Sequence, residues 1–121
     1  MISLQVPVLM YEGHTLKESN LICEFLDEAY STGNSLMPRS ALNRAMARAA
    51  FDFCNLRLMP LFYRMLTAHD QRPATAEQLT AVFKELDVML RESSHEGPFW
   101  FGEHFTLVDI VFFPFADRFV C

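Results

Sequence analysis

Apolar positions along the chain change period twice, and each change marks an element. Residues 4–11, Leu-Gln-Val-Pro-Val-Leu-Met-Tyr, are rich in β-formers and predict a strand with Pro7 at its start or edge. Glu12-Gly13 predicts a turn, and His14 to Lys17 a short return strand, so the chain opens with a β-hairpin. From Ser19 the period becomes helical: Leu21, Ile22, Phe25, Leu26, Ala29 and Tyr30 share one face. Ser19 or Glu18 is expected to supply the first-turn acceptor. A polar linker, Ser31 to Ser35, follows. A long helix is predicted from Ser40 to about Ala68, with Ala45, Ala49, Phe53, Leu56 and Met59 or Pro60 as its apolar stripe. Pro60 removes one backbone donor and predicts a kink.

Residues 69–74 are expected to be a loop. Thr75-Ala-Glu-Gln78 has the form of a capping box and predicts a helix start. Leu79, Val82, Phe83, Leu86, Met89 and Leu90 then form the cleanest amphipathic stripe in the chain. Phe99-Trp-Phe-Gly102 predicts a compact segment under the helices. Thr106-Leu-Val-Asp109 predicts a second helix start. The segment after it is apolar on all sides, and burial in a helical core is expected. The order is strand, strand, helix, linker, helices.

Composition narrows the function classes. The 121 residues are 51% hydrophobic and 21% charged, which excludes intrinsic disorder. A net charge of -5 argues against a nucleic-acid partner or an anionic membrane surface. Three cysteines, Cys23, Cys54 and Cys121, and four histidines show no metal-ligand spacing, so no metal is expected. The longest apolar run, Ile110 to Ala116, is far too short for a membrane span and contains Pro114. No export signal opens the chain, and a reducing cytoplasmic location is expected. A two-stranded hairpin is marginal alone, and the strongly apolar stretch from Asp109 to Cys121 has no polar tail. Both features lead to the expectation of a fragment, cut at each end, with an unpaired apolar sheet edge.

Several segments together resemble a known family. Val6-Pro7-Val8-Leu9, Glu18-Ser19-Asn20, Phe25-Leu26-Asp27-Glu28-Ala29-Tyr30 and Leu36-Met37-Pro38 resemble the second half of the thioredoxin-like domain of cytosolic glutathione transferases. Phe101-Gly102 and Thr106-Leu-Val-Asp109 resemble the capping box of that family's all-helical domain. Among classes, Ile22 to Tyr30 and Pro114 among aromatics are most similar to the omega class, or to related thiol-dependent reductases. The resemblance implies a mainly α (α+β) fold: a partial thioredoxin-like unit, hairpin plus helix, over 1–35, and part of the helical domain over 36–121. It implies glutathione as substrate, with thioltransferase or dehydroascorbate reductase chemistry in the complete protein, which would form a homodimer. A non-catalytic scaffold or assembly module is the alternative.

The resemblance also implies roles for particular residues. Pro7 is expected to be cis, turning the backbone of Val6 toward the cysteinyl part of glutathione. Ser19, at a helix N-terminus, would hold the γ-glutamyl carboxylate, and Glu18 would accept from its ammonium. Gln5 would lie beside the ligand. Phe113, Phe115, Phe53 and Arg57 are candidates for the acceptor-substrate pocket, and Thr106 with Asp109 for the structural box. No catalytic residue is expected within the chain. The family's catalytic Tyr, Ser or Cys precedes the Val-Pro strand, and Cys23, Cys54 and Cys121 lack the setting of an activated thiol. Arg48 and Asp52 are expected to pair at i, i+4, and Arg44, Arg48, Arg57 and Arg64 to form one solvated or interface-facing side of the long helix.

Overall fold

A computed structural model describes residues 6–93 and 96–120. Gln5, His95 and Cys121 lie outside them. The chain opens with an antiparallel hairpin, β1 (Val8–Tyr11) and β2 (His14–Lys17), turned at Glu12 and Gly13, both at positive φ. Alternation places Leu9 and Tyr11 toward the protein and leaves Val8 and Met10 exposed. Among the described residues, only β2 pairs with β1.

Helix α1 (Ser19–Tyr30) follows directly. It lies against β2 and against the last helix of the chain. Ile22 is its one buried residue, and Phe25 meets the Tyr11 ring edge-on at 5.0 Å. Glu18 precedes the helix without any side-chain capping bond, contrary to the expected first-turn acceptor. Its φ of 72° and ψ of 113° aim the backbone into the helix by a route in which the side chain does not fold back over the first turn.

The long helical stretch begins at the Ser40 cap, whose hydroxyl accepts from Asn43 N–H at 3.1 Å. It runs as α2 (Ala41–Phe53), a π-helical turn (Cys54–Leu58) and α3 (Met59–Thr67). The π turn sits just ahead of Pro60. Proline has no N–H to give Leu56 and its ring crowds that carbonyl, so the preceding turn widens; Met59 N–H reaches back five residues to Cys54.

The stripe expected on this helix is not the buried one. Ala47, Ala50, Phe51, Cys54, Leu58 and Phe62 face the core, whereas Ala45 and Ala49 are exposed and Leu56 is 73% exposed. Small residues let a neighbouring helix approach closely, and their weak apolar signal hides the true face.

A short 3-10 turn (His69–Gln71) leads into α4 (Arg72–Ser93). The helix starts three residues before the predicted Thr75 box. Pro73 fits the first turn, and Thr75 lies inside, 1% exposed, its hydroxyl donating to the Gln71 carbonyl at 2.9 Å. Leu79 and Val82 are buried, with Leu86 and Met89 packed beside them. Residues 99–104 form a tight double bridge, Phe99 with Gly102 and Phe101 with His104, that buries Trp100.

Helix α5 (Leu107–Val120) carries Leu107, Val108 and Phe112 into the core beside α2 and α1. Its burial is one-sided, not all-round as expected: Ile110 is 38% and Phe113 67% exposed. Only one stripe of α5 meets another helix, so the opposite apolar side faces out.

The paired arginines also differ from expectation. Arg44 and Arg48 converge on Glu24 of α1, with Arg44 Nη2 at 3.6 Å, while Arg57 meets Glu85 and Arg64 meets Gln78 on α4. The four therefore face two different neighbours and form no common surface. Arg48 is drawn off Asp52 because Glu24, on an adjacent helix, is partly shielded from solvent while Asp52 is exposed, so its charge is less screened.

Candidate functional site

The ladder pairs Val8 with Lys17, so the segment before β1 and the segment after β2 emerge side by side. Val6-Pro7 and Glu18-Ser19, eleven positions apart at their nearest in sequence, thus share one end of the hairpin. The Val6–Pro7 peptide bond is cis. Val6, Pro7, Glu18 and Ser19 are all exposed.

At this end α1 presents its N-terminus. The first intrahelical bond runs from Ile22 N–H to Glu18 C=O at 3.0 Å, so the N–H groups of the residues before it have no partner within the helix. No acidic residue lies within the first turn. The Glu18 carboxylate lies just outside it. Free donors with a positive helix end stand beside one carboxylate, and that pairing complements a group carrying both a carboxylate and an ammonium. Glu18 itself adopts a backbone conformation that L-residues rarely take, a feature concentrated at ligand sites. No sequence signal marks that conformation, since Glu carries none of glycine's freedom. The Asn20 side-chain nitrogen is buried in the same turn with no hydrogen-bond partner among the described residues.

Away from this end, an aromatic cavity of about 650 Å³ opens between α4, α5 and the 96–105 segment. Phe113 and Phe115 line it with Phe83, Trp100, Phe105 and Phe119. Phe53 and Arg57 do not. Arg57 is bound to Glu85 at 2.7 Å, lies 5.8 Å over the Phe53 ring, and borders a separate groove with Pro60 and Arg64. The four acceptor-pocket candidates are therefore not brought together, and none of Val6, Pro7, Glu18 or Ser19 borders the aromatic cavity.

The Asp109 carboxylate accepts from Trp100 N–H and Thr106 N–H, each at 2.8 Å, and from the Thr106 hydroxyl at 3.0 Å. It holds the bridge segment to the start of α5. Cys23 is half-buried within α1, and Cys54 is fully buried, where loss of solvent pushes its thiol up to about 11. No group of three or more metal-ligating side chains occurs among the described residues. Among the described residues, no helix is long and apolar enough to cross a membrane.

Hairpin, helix N-terminus and helical bundle in this order define a thioredoxin-like start joined to a helical domain, the arrangement of glutathione transferases. Residues 70–120 match the family model for the glutathione S-transferase C-terminal domain. Glutathione S-transferase 3 of Glycine max is 26% identical over 119 residues, covering 98% of this chain and 52% of that protein. Glutathione transferase GST 23 of Zea mays is 35% identical over 105 residues, covering 84% of this chain and 44% of that protein. In the crystal structure of glutathione transferase Omega 3C from Trametes versicolor, the likeness has a TM-score of 0.74 at 31% identity, covering 94% of this chain and 48% of that one. The chain is glutathione-transferase-like and spans about half the length of the curated relatives it matches. Both relatives are plant proteins.

Proposed function

We propose that the chain supplies the γ-glutamyl half of a glutathione site within a glutathione transferase, with residues 1–35 belonging to the glutathione-binding domain and 36–121 to the helical domain. The observation that carries this reading is the pairing at one hairpin end of unpartnered α1 N–H groups with the Glu18 carboxylate. Ser19 donates to the γ-glutamyl carboxylate, Glu18 accepts from the ammonium, and the Val6 backbone meets the cysteinyl part. Phe113 and Phe115 serve the electrophilic or disulfide co-substrate. In the complete protein the chemistry is thiol transfer or reduction of the omega type, in a cytoplasmic homodimer. The reacting group comes from outside this chain, which alone turns over no substrate.

Titration calorimetry with glutathione tests the reading. Saturable binding is expected, weakened about tenfold or more in Ser19→Ala through loss of a charge-assisted hydrogen bond. Absence of binding, or binding indifferent to both Ser19→Ala and Glu18→Gln, overturns it. A second reading, a non-catalytic assembly module, is favoured by the placement of Cys23 and Cys54 in helix interiors. A module of that kind has no need of glutathione, so the same titration separates the two.

A further inference from the structure

Helix α1 is held by little apolar contact. Ile22 is its single buried residue, and Leu21, Leu26 and Tyr30 are exposed. Its seat depends on two polar ties. One is Glu24 with Arg44 and Arg48, long side chains that solvent screens. The other is Asp27, two of whose three partners are backbone N–H groups.

Asp27 Oδ1 accepts from Leu36 N–H at 2.7 Å. Its Oδ2 accepts from the Ser35 hydroxyl at 2.6 Å and from Met37 N–H at 3.1 Å. Leu36 is gripped from the other side too, because its carbonyl accepts from Leu107 N–H, the first residue of α5, at 2.9 Å. Met37 is 3% exposed and belongs to the central core. One carboxylate therefore anchors α1 to a strip of backbone that is itself fastened to the helical core.

We propose that Asp27 is a positioning residue: by gripping the backbone at Leu36 and Met37 it fixes the tilt of α1, and so the placement of the helix N-terminus that receives the γ-glutamyl group. This rests on the glutathione reading above. Asp27 and Ser19 are about 12 Å apart along the helix axis, so a tilt of about 5° moves the first turn by about 1 Å. Displacements of that size are enough to degrade a binding geometry.

The test uses the full chain, with Asp27→Asn and the milder Ser35→Ala. Asn keeps one acceptor oxygen but turns an NH₂ group toward Ser35 and Met37. Glutathione affinity is measured well below the thermal midpoint, together with amide hydrogen exchange at Ile22, whose N–H makes the first intrahelical bond. Asp27→Asn is expected to weaken glutathione about fivefold and to speed exchange at Ile22, five residues from the substitution. Ser35→Ala moves both in the same direction by less. If only the thermal midpoint falls, with affinity and first-turn exchange unchanged, Asp27 merely stabilises the fold and the proposal is overturned. Should the unsubstituted chain not bind glutathione, the functional reading fails, while first-turn exchange still decides whether Asp27 sets the position of α1.

Discussion

Arg48 of α2 pairs with Glu24 of α1, across the junction of hairpin unit and bundle, and not with Asp52 one turn along its own helix. Glu24 also lies 3.6 Å from Arg44, so one carboxylate meets two guanidinium groups. Asp52→Asn is therefore expected to be neutral, within about 0.5 kcal/mol, as at an ordinary surface position. Glu24→Gln leaves two cations facing each other and lowers the thermal midpoint, by more at low salt than at high salt. Thermal melts of both variants at two ionic strengths check this. Equal effects of the two substitutions would contradict the pairing.

Gly97 stands where no other residue fits. Its φ is +126°, and a Cβ there would overlap the backbone carbonyl of Gly102. The two glycines close the base of the bridge that buries Trp100. Gly97→Ala combines backbone strain with a collision against main chain, which cannot swing aside. A loss of at least about 2 kcal/mol is expected by urea denaturation. Gly33→Ala is the control: its φ is also positive, but open space surrounds it. A smaller loss is expected there, and equal losses would show that the Gly102 contact contributes nothing.

The hairpin, the start of α1 at Ser19 and the start of α5 after Thr106 were legible because each carries a local signal: alternation, a polar residue at a helix entry, a hydroxyl three positions before a carboxylate. The buried face of α2 was not. Ala47, Ala50 and Cys54 carry little hydrophobic weight, so the bulkier Phe53 and Leu56 claimed the stripe although Leu56 faces solvent. Thr75 misled for a related reason. Thr-x-x-Gln looks the same whether the hydroxyl caps a helix or bonds back inside one, and the better signal was Pro73 in the first turn. At the candidate site, residue types were readable and geometry was not. Glu18's positive φ falls at a strand-to-helix junction on a residue type that does not favour it, and Asp27's grip on Leu36 joins a helix to a later segment, which no spacing within one element reveals.

Cys54 is the better test of burial. Its thiol is fully buried at the π turn and is pushed up to about 11 by loss of solvent alone. The thiol stays neutral well past the pH at which an unfolded cysteine ionises, near 8.5. The sign follows: with the folded value raised, stability is unaffected below about pH 8 and falls as pH rises between the unfolded and folded values. Under native conditions at pH 8, Cys54 is expected to react with a thiol reagent only on unfolding, while half-buried Cys23 reacts sooner. Mass spectrometry of the labelled chain over time distinguishes the two. Rapid labelling of Cys54 in the folded protein would contradict its burial.

Asp109 concentrates the largest expected single-residue effect in a polar group. Trp100 N–H and Thr106 N–H both donate to it in surroundings where Trp100 and Thr106 are buried. Asp109→Ala strands these two donors, each at a cost of about 1–3 kcal/mol, so a loss of about 3 kcal/mol is expected. Asp109→Asn can keep the bond to Trp100 but must present either an NH₂ group or no acceptor to Thr106, so an intermediate loss follows. Urea denaturation gives both values, and tryptophan fluorescence separates their causes. Trp100 is the only tryptophan and stacks on Phe112 at 4.9 Å, so loosening of the bridge shifts its emission before global unfolding. If Asp109→Ala unfolds in one step with no early shift, the carboxylate holds α5 as a whole and not the bridge in particular.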